Sequence, residues 1–188
     1  NDLVRNRAVS LITILFISVA AMLLSLAAIL TVNLFGAVDR LMADAKTPHF
    51  MQMHTGAVDM TCLEDFAGNN RNVADFQVIP FLNVDNTELI LGGNRLTDSV
   101  QDNGFCTQSS RFDFLLDMEN QPVKPQPGEV YAPVCYLRDG TVNVGDPAVL
   151  CGRTFRVAGF IRDSQMNSTL ASSKRFLINE ADYARLAP

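Results

Sequence analysis

The sequence predicts an α+β protein, in which one long apolar helix is followed by a domain of short mixed strands and helices. Two observations carry this expectation. Ala8 to Val38 contains no charged residue at all, whereas charge punctuates the chain everywhere after Asp39. Beyond Pro48 the apolar residues fall into short runs between turn residues, with no regular strand–helix beat of the kind a parallel α/β sheet needs. The 188 residues leave room for about one ordinary domain plus a helix.

The apolar run comes first in the chain. A helix needs about 20 apolar residues to cross a hydrocarbon core of roughly 30 Å, and Ala8–Val38 exceeds that. Cleavable signal peptides carry a shorter apolar region of about 7–15 residues, so the run is expected to stay in the mature chain. Its polar members, among them Thr13 and Thr31, are uncharged, and their hydroxyls can bond back to the helix. Arg5 and Arg7 precede the run and place the N-terminus in the cytoplasm. Val38, Leu41, Met42 and Ala45 then recur at helical spacing among charges, so the helix is expected to continue as a stalk. Pro48 should end it, because the residue before a proline is pushed out of the helical region. The expected division is therefore 1–47 for span and stalk, and 48–188 for a domain outside the cytosol. The chain starts at Asn1 rather than Met, so it is read as part of something longer.

Within the domain, His49–Met53 is a candidate strand. Asp59 to Glu64 looks like a helix start, with Thr61 as N-cap and Glu64 closing a capping box, running to about Ala67. Val73–Val84 and Glu88–Leu91 read as strands around the turn Asp85-Asn86-Thr87, with Pro80 forcing an edge or a break. Gly92-Gly93 reads as a turn. Phe112–Met118 is a further apolar run, closed by a loop with Pro122, Pro125 and Pro127. Glu129–Leu137, Ala148–Leu150 and Thr154–Ile161 are expected to share one small sheet, with turns at Arg138–Thr141 and Cys151-Gly152. Phe176–Ile178 should run into a helix capped by Asn179.

Several function classes drop out on composition. The net charge of −5 is carried by the segment beyond Asp39 and no basic cluster interrupts it, so there is no footprint for nucleic acid. The two histidines both lie close to the stalk, and no Gly-x-Ser-x-Gly or His-Glu-x-x-His pattern exists, so no catalytic residue is assigned. His49, Met51, Met53 and His54 have the ligand character of a copper site. A strand would split them between two faces, so no metal ligand is assigned either. The four cysteines, Cys62, Cys106, Cys135 and Cys151, would lie where disulfides persist. Cys135 and Cys151 flank one predicted hairpin region and are the candidate pair; the alternative is four buried free thiols. Asn167-Ser168-Thr169 matches a glycosylation sequon.

The stretch Gly128-Glu-Val-Tyr-Ala-Pro-Val, then Val144-Gly-Asp146, then Phe155-Arg-Val-Ala-Gly-Phe160, resembles the extracytoplasmic domain of FtsX-like ABC transporter permeases of the MacB type. Arg162-Asp-Ser-Gln-Met-Asn-Ser168 and Ser172-Ser-Lys-Arg-Phe-Leu177 are similar to one bacterial branch, and Asn6-Arg7 ahead of a long first span fits the family's start. The resemblance covers nearly the whole chain. It implies a multi-pass permease of the cytoplasmic membrane, a MacB-like periplasmic domain, and a cytoplasmic ATP-binding subunit as partner. It also implies a second permease subunit or copy, contact with membrane lipid, and no cofactor in this chain, since ATP sits on the partner subunit. Such permeases act by mechanotransmission, passing ATP-driven motion outward for export, extraction or resistance. The rival reading is a membrane-anchored sensor whose outside domain binds a ligand, and a weaker third is a tethered assembly protein.

Overall fold

The computed structural model describes residues 6–166 and 171–187, so Asp2, Arg5 and the sequon at Asn167 lie outside the described residues. The architecture is mixed α+β, with a long N-terminal apolar helix and a sheet domain. The chain forms two compact units, Asn1–Leu41 and Met42–Pro188.

The first unit is helical throughout its described length. Helix α1 runs Arg7–Asp44, and its 38 residues correspond to about 57 Å at 1.5 Å per residue. Among the described residues it is the one helix long and apolar enough to cross a membrane, with a mean hydropathy of 2.6 over an 18-residue window. It is apolar all round and none of its residues is buried, with Phe16, Leu24 and Val32 each more than 70% exposed. Thr13 and Thr31 donate their hydroxyls to the carbonyls of Val9 and Ala27, both at 2.8 Å, so no polar side chain is left unpaired at these two positions.

The second unit is built on a sheet of eight strands among the described residues, ordered β1-β4-β8-β5-β7-β6-β2-β3. The strands are β1 (Leu82–Asn83), β2 (Leu89–Leu91), β3 (Asn94–Arg95), β4 (Asp102–Cys106) and β5 (Glu129–Pro133). They continue with β6 (Pro147–Leu150), β7 (Arg153–Ile161) and β8 (Ser173–Ile178). Helices α2 (Met60–Asn69), α3 (Val134–Arg138) and α4 (Glu180–Leu186) complete the unit. The pairs β4–β8 and β5–β7 are parallel and the other neighbours antiparallel. The turns Gly92-Gly93 and Cys151-Gly152 each place two residues at positive φ, which is the twist a two-residue hairpin requires.

Side chains alternate along the strands to give two apolar clusters, one on each face. Phe105, Val130, Ala132, Val157, Phe176 and Ile178 belong to the larger; Cys106, Ile161 and Leu177, with Leu115 and Val123, form the smaller. A register shift opposite Val130 and Tyr131 inserts Ala158 as a bulge in β7. The bulge changes the phase of the strand, so Phe160 joins the larger cluster and Ile161 the smaller.

Several expectations need correction. His49–Met53 is not a strand: it has no pairing partner and every one of its residues is exposed. The N-cap of α2 is Asp59, not Thr61, because its carboxylate accepts the Cys62 N–H at 3.0 Å. Of Val73–Val84 only Leu82–Asn83 is a strand. Upstream of Pro80, side chains tie the segment down: Gln77 Nε2 donates to the Phe112 carbonyl at 2.6 Å, and Arg111 donates to Asp75 and to the Phe76 carbonyl. Phe112–Met118 contributes only bridges at Leu116. The strand expected to reach Leu137 ends at Pro133, where α3 begins. The compact sheet unit includes Met42–Asp44 from the last turn of α1, and Ala45 just after it is fully buried.

Candidate functional site

The site of interest is the junction where α1 ends. Lys46 has φ 47, its N–H donates to Ala43 O at 3.1 Å, and the Thr47 N–H donates to Met42 O at 3.0 Å. These two bonds, with a left-handed residue between helix and exit, make a Schellman cap. The cap stops the helix ahead of Pro48, so proline is not the cause of the stop. Glycine usually fills this position, and a residue with a Cβ costs about 1–2 kcal/mol there.

Two features of the sheet unit hold the strained residue. Asp113 N–H donates to Lys46 O at 3.0 Å and Phe114 N–H to Ala45 O at 2.8 Å, so carbonyls orphaned at the helix end are satisfied by the 113–114 backbone. Lys46 Nζ also lies 5.5 Å from the centre of the Phe114 ring, within cation–π reach. Asp44 accepts from Asn120 Nδ2 at 2.9 Å, and Gln165 Nε2 donates to Pro48 O at 3.2 Å. Asp113 is itself left-handed, with φ 58, so two strained residues meet across one hydrogen bond. Strain of this kind persists only where the surroundings over-determine it.

Those surroundings are a buried ion triad. Arg175 on β8 donates Nε and Nη2 to Asp163 at 2.6 and 2.7 Å, and Nη1 and Nη2 to Asp113 at 2.5 and 3.1 Å. All three side chains are at least nine-tenths buried. Asp163 also accepts the N–H groups of Gln165 and Met166 at 2.8 and 3.0 Å. Burial alone would raise the Asp163 carboxyl, but the Arg175 bonds and charge with these two N–H groups outweigh it and hold the carboxyl below its ordinary range. Burial likewise works against the Arg175 charge, and the two aspartates more than restore it. The triad therefore joins β8, the segment after β7 and the 113–116 segment to the helix cap.

A cleft of about 350 Å³ lies at Arg95–Gln101, Cys135, Tyr136 and Lys174. Lys174 is 1% exposed and donates to the carbonyls of Ala171 and Ser173 at 2.5 and 3.3 Å. Burial lowers its pKa, and burial raises that of Cys135 on the same cleft. Tyr136 donates to Asn103 at 2.7 Å and is pushed up to about 12, chiefly by burial. Asn103, itself buried, in turn donates to the half-buried Asn86 at 2.7 Å.

Cys135 and Cys151 do not meet. All four cysteines are free thiols. Cys135 follows Pro133, which pairs with Ile161 at one end of β7, whereas Cys151 precedes Arg153 at the other end. The nine residues of β7 make eight steps, which separate those ends by about 26 Å, while a disulfide needs Cα atoms within about 7 Å. Nor are they four buried thiols, since Cys62 and Cys151 are exposed. His49, Met51, Met53 and His54 are all exposed on an irregular segment. No group of three or more His, Cys, Asp or Glu with metal-binding geometry occurs among the described residues.

Nothing local in the sequence marks the triad: Arg175 and Asp163 stand inside the stretches that carry the resemblance, and the signal there is only a Lys-Arg pair opening an apolar strand. Comparison of the chain with family models, characterised proteins and solved structures finds no match.

Proposed function

We propose that this chain is the first span and outside domain of a permease subunit in an ATP-driven ABC transporter of the FtsX-like, MacB type. On this reading α1 crosses the cytoplasmic membrane with its N-terminus inside, and the sheet unit stands outside the cytosol. Motion driven by ATP on a cytoplasmic partner subunit enters at the base of α1 and leaves through the sheet unit. Export, extraction or resistance follows from that motion, without catalysis in this chain.

The observation that supports the reading is the fixed end of the helix. Within the sheet unit the last turn of α1 is capped at Lys46 and bonded to the 113–114 backbone, which is the kind of end a force-transmitting helix would need. The resemblance adds to this: the Gly128 stretch lies on β5, Phe155–Phe160 on the neighbouring β7, and Val144-Gly-Asp146 is bonded to β7 through Val157.

The test is partner and activity. The full-length protein should co-purify with a cytoplasmic ATPase, and the complex should hydrolyse ATP, while this chain alone does not. The cleft beside Lys174 favours the rival, a membrane-anchored sensor with an outside ligand site. Recovery of a kinase module on the same polypeptide, with no ATPase partner, would establish that rival instead.

A further inference from the structure

The cleft of about 350 Å³ in the sheet unit lies at the lower end of the range for small-ligand sites, about 300–1,000 Å³. Its inner wall is buried: Leu96, Cys135 and Tyr136 supply an apolar lining, and Lys174 supplies a positive charge. Asp98 and Asp139 line the same cleft but are exposed, so negative charge stands at the mouth. Asp139 is tied only to Arg138, at 3.6 Å on the surface, and Arg95 at the mouth turns to the Thr87 carbonyl at 3.2 Å. Gln101 lines the cleft as well, and its side-chain amide is engaged by nothing. Its Oε1 is enclosed without a partner, and its Nε2 donates to no described residue. An enclosed carbonyl without a donor is unfavourable, so the amide gains by turning towards one that enters.

We propose that this cleft takes the C-terminal end of a short peptide, with its carboxylate inward. A carboxylate is drawn to the Lys174 charge; Lys174 acts through that charge, since its ammonium donates to the Ala171 and Ser173 carbonyls. Beside its carboxylate, a C-terminal residue carries an amide N–H. Gln101 can donate from Nε2 to the first and accept at Oε1 from the second, which satisfies both of its polar atoms. A free amino acid would put an ammonium where that N–H belongs, and so bring a second cation towards Lys174. In a dipeptide the ammonium stands about 3.5 Å further out, on the side of Asp98 and Asp139. The distribution of charge therefore favours a dipeptide over a single amino acid. The site lies inside the sheet unit, so the inference stands whether or not the chain is a permease, and an absent ATPase partner does not touch it.

The probe is L-alanyl-L-alanine, titrated into the full chain in detergent by isothermal titration calorimetry, with detergent alone as reference. Saturable binding at concentrations up to about 10 mM is expected. Amidating the C-terminus of the peptide should weaken it about tenfold or more. So should Gln101→Leu, which keeps the size of the side chain and removes both polar atoms. Asp98→Asn/Asp139→Asn should weaken alanylalanine but leave N-acetyl-alanylalanine unaffected, because acetylation removes the ammonium that those carboxylates meet. Circular dichroism checks the folding of each variant, and the altered peptides test the same contacts on the unaltered chain. No saturable heat from alanylalanine, equal binding of its amide, or wild-type affinity in Gln101→Leu would overturn the proposal. So would free alanine binding as tightly as the dipeptide.

Discussion

Replacing Arg175 by methionine tests the triad directly. Methionine keeps the length and apolar stem of the side chain but leaves Asp113 and Asp163 buried without their counter-ion. Removing one partner of a buried ion pair costs about 3–5 kcal/mol, mostly from the stranded charge. For a unit the size of Met42–Pro188, each kcal/mol lowers the melting temperature by about 2–4 °C, so a fall of about 6–20 °C is expected. Circular dichroism of the chain in detergent reads the transition. The dependence on pH gives an independent check. In the wild type Asp163 sits below its ordinary pKa, so its contribution is complete above the unfolded value, near 3.9, and is lost as pH falls through the folded value. In Arg175→Met the Asp163 carboxyl has no cation to hold it ionised, and protonating it relieves the penalty. The gap between the two proteins should therefore narrow as the solution is acidified towards the unfolded carboxylate range. A variant that melts within about a degree of wild type at neutral pH would refute the reasoning, since even the lower bound predicts more.

Three other outcomes follow, the first two resting on the proposed function and its topology. Leu41→Pro removes a helix bond and kinks α1 just ahead of its cap, at a cost of about 3 kcal/mol; at equal membrane levels, transport or resistance should fail while ATP hydrolysis survives, with Leu41→Ala milder. Full function of Leu41→Pro would make the helix end a passive tether. A membrane-impermeant maleimide should label Cys62 and Cys151 in spheroplasts but spare Cys106, which is buried with its thiol pushed up to about 12, and peptide mass spectrometry should find no Cys135–Cys151 bond. Gly104→Ala places a Cβ 2.0 Å from the Phe81 ring, so it should destabilise by about 1–3 kcal/mol, and Phe81→Ala in the same protein should return part of that loss on a denaturant titration.

The sequence by itself determined the features that depend on neighbours along the chain. An uncharged run of this length specifies α1, because only a helix satisfies its own backbone there. The two turns with paired positive φ, and the helix begun by Asn179, follow from residues a few positions apart. Tertiary structure decided what depends on residues far apart. His49–Met53 reads as a candidate strand, but a strand exists only where another edge accepts it. Cys135 and Cys151 are close in sequence order of elements, yet the parallel pairing of β5 with β7 sends them to opposite ends. The triad draws Asp113, Asp163 and Arg175 from three separate segments, and nothing local marks Asp113 as a partner of Arg175. Its formation rests on burial: once β8 is enclosed by its neighbours, the guanidinium must find carboxylates there, and only the folded chain supplies them.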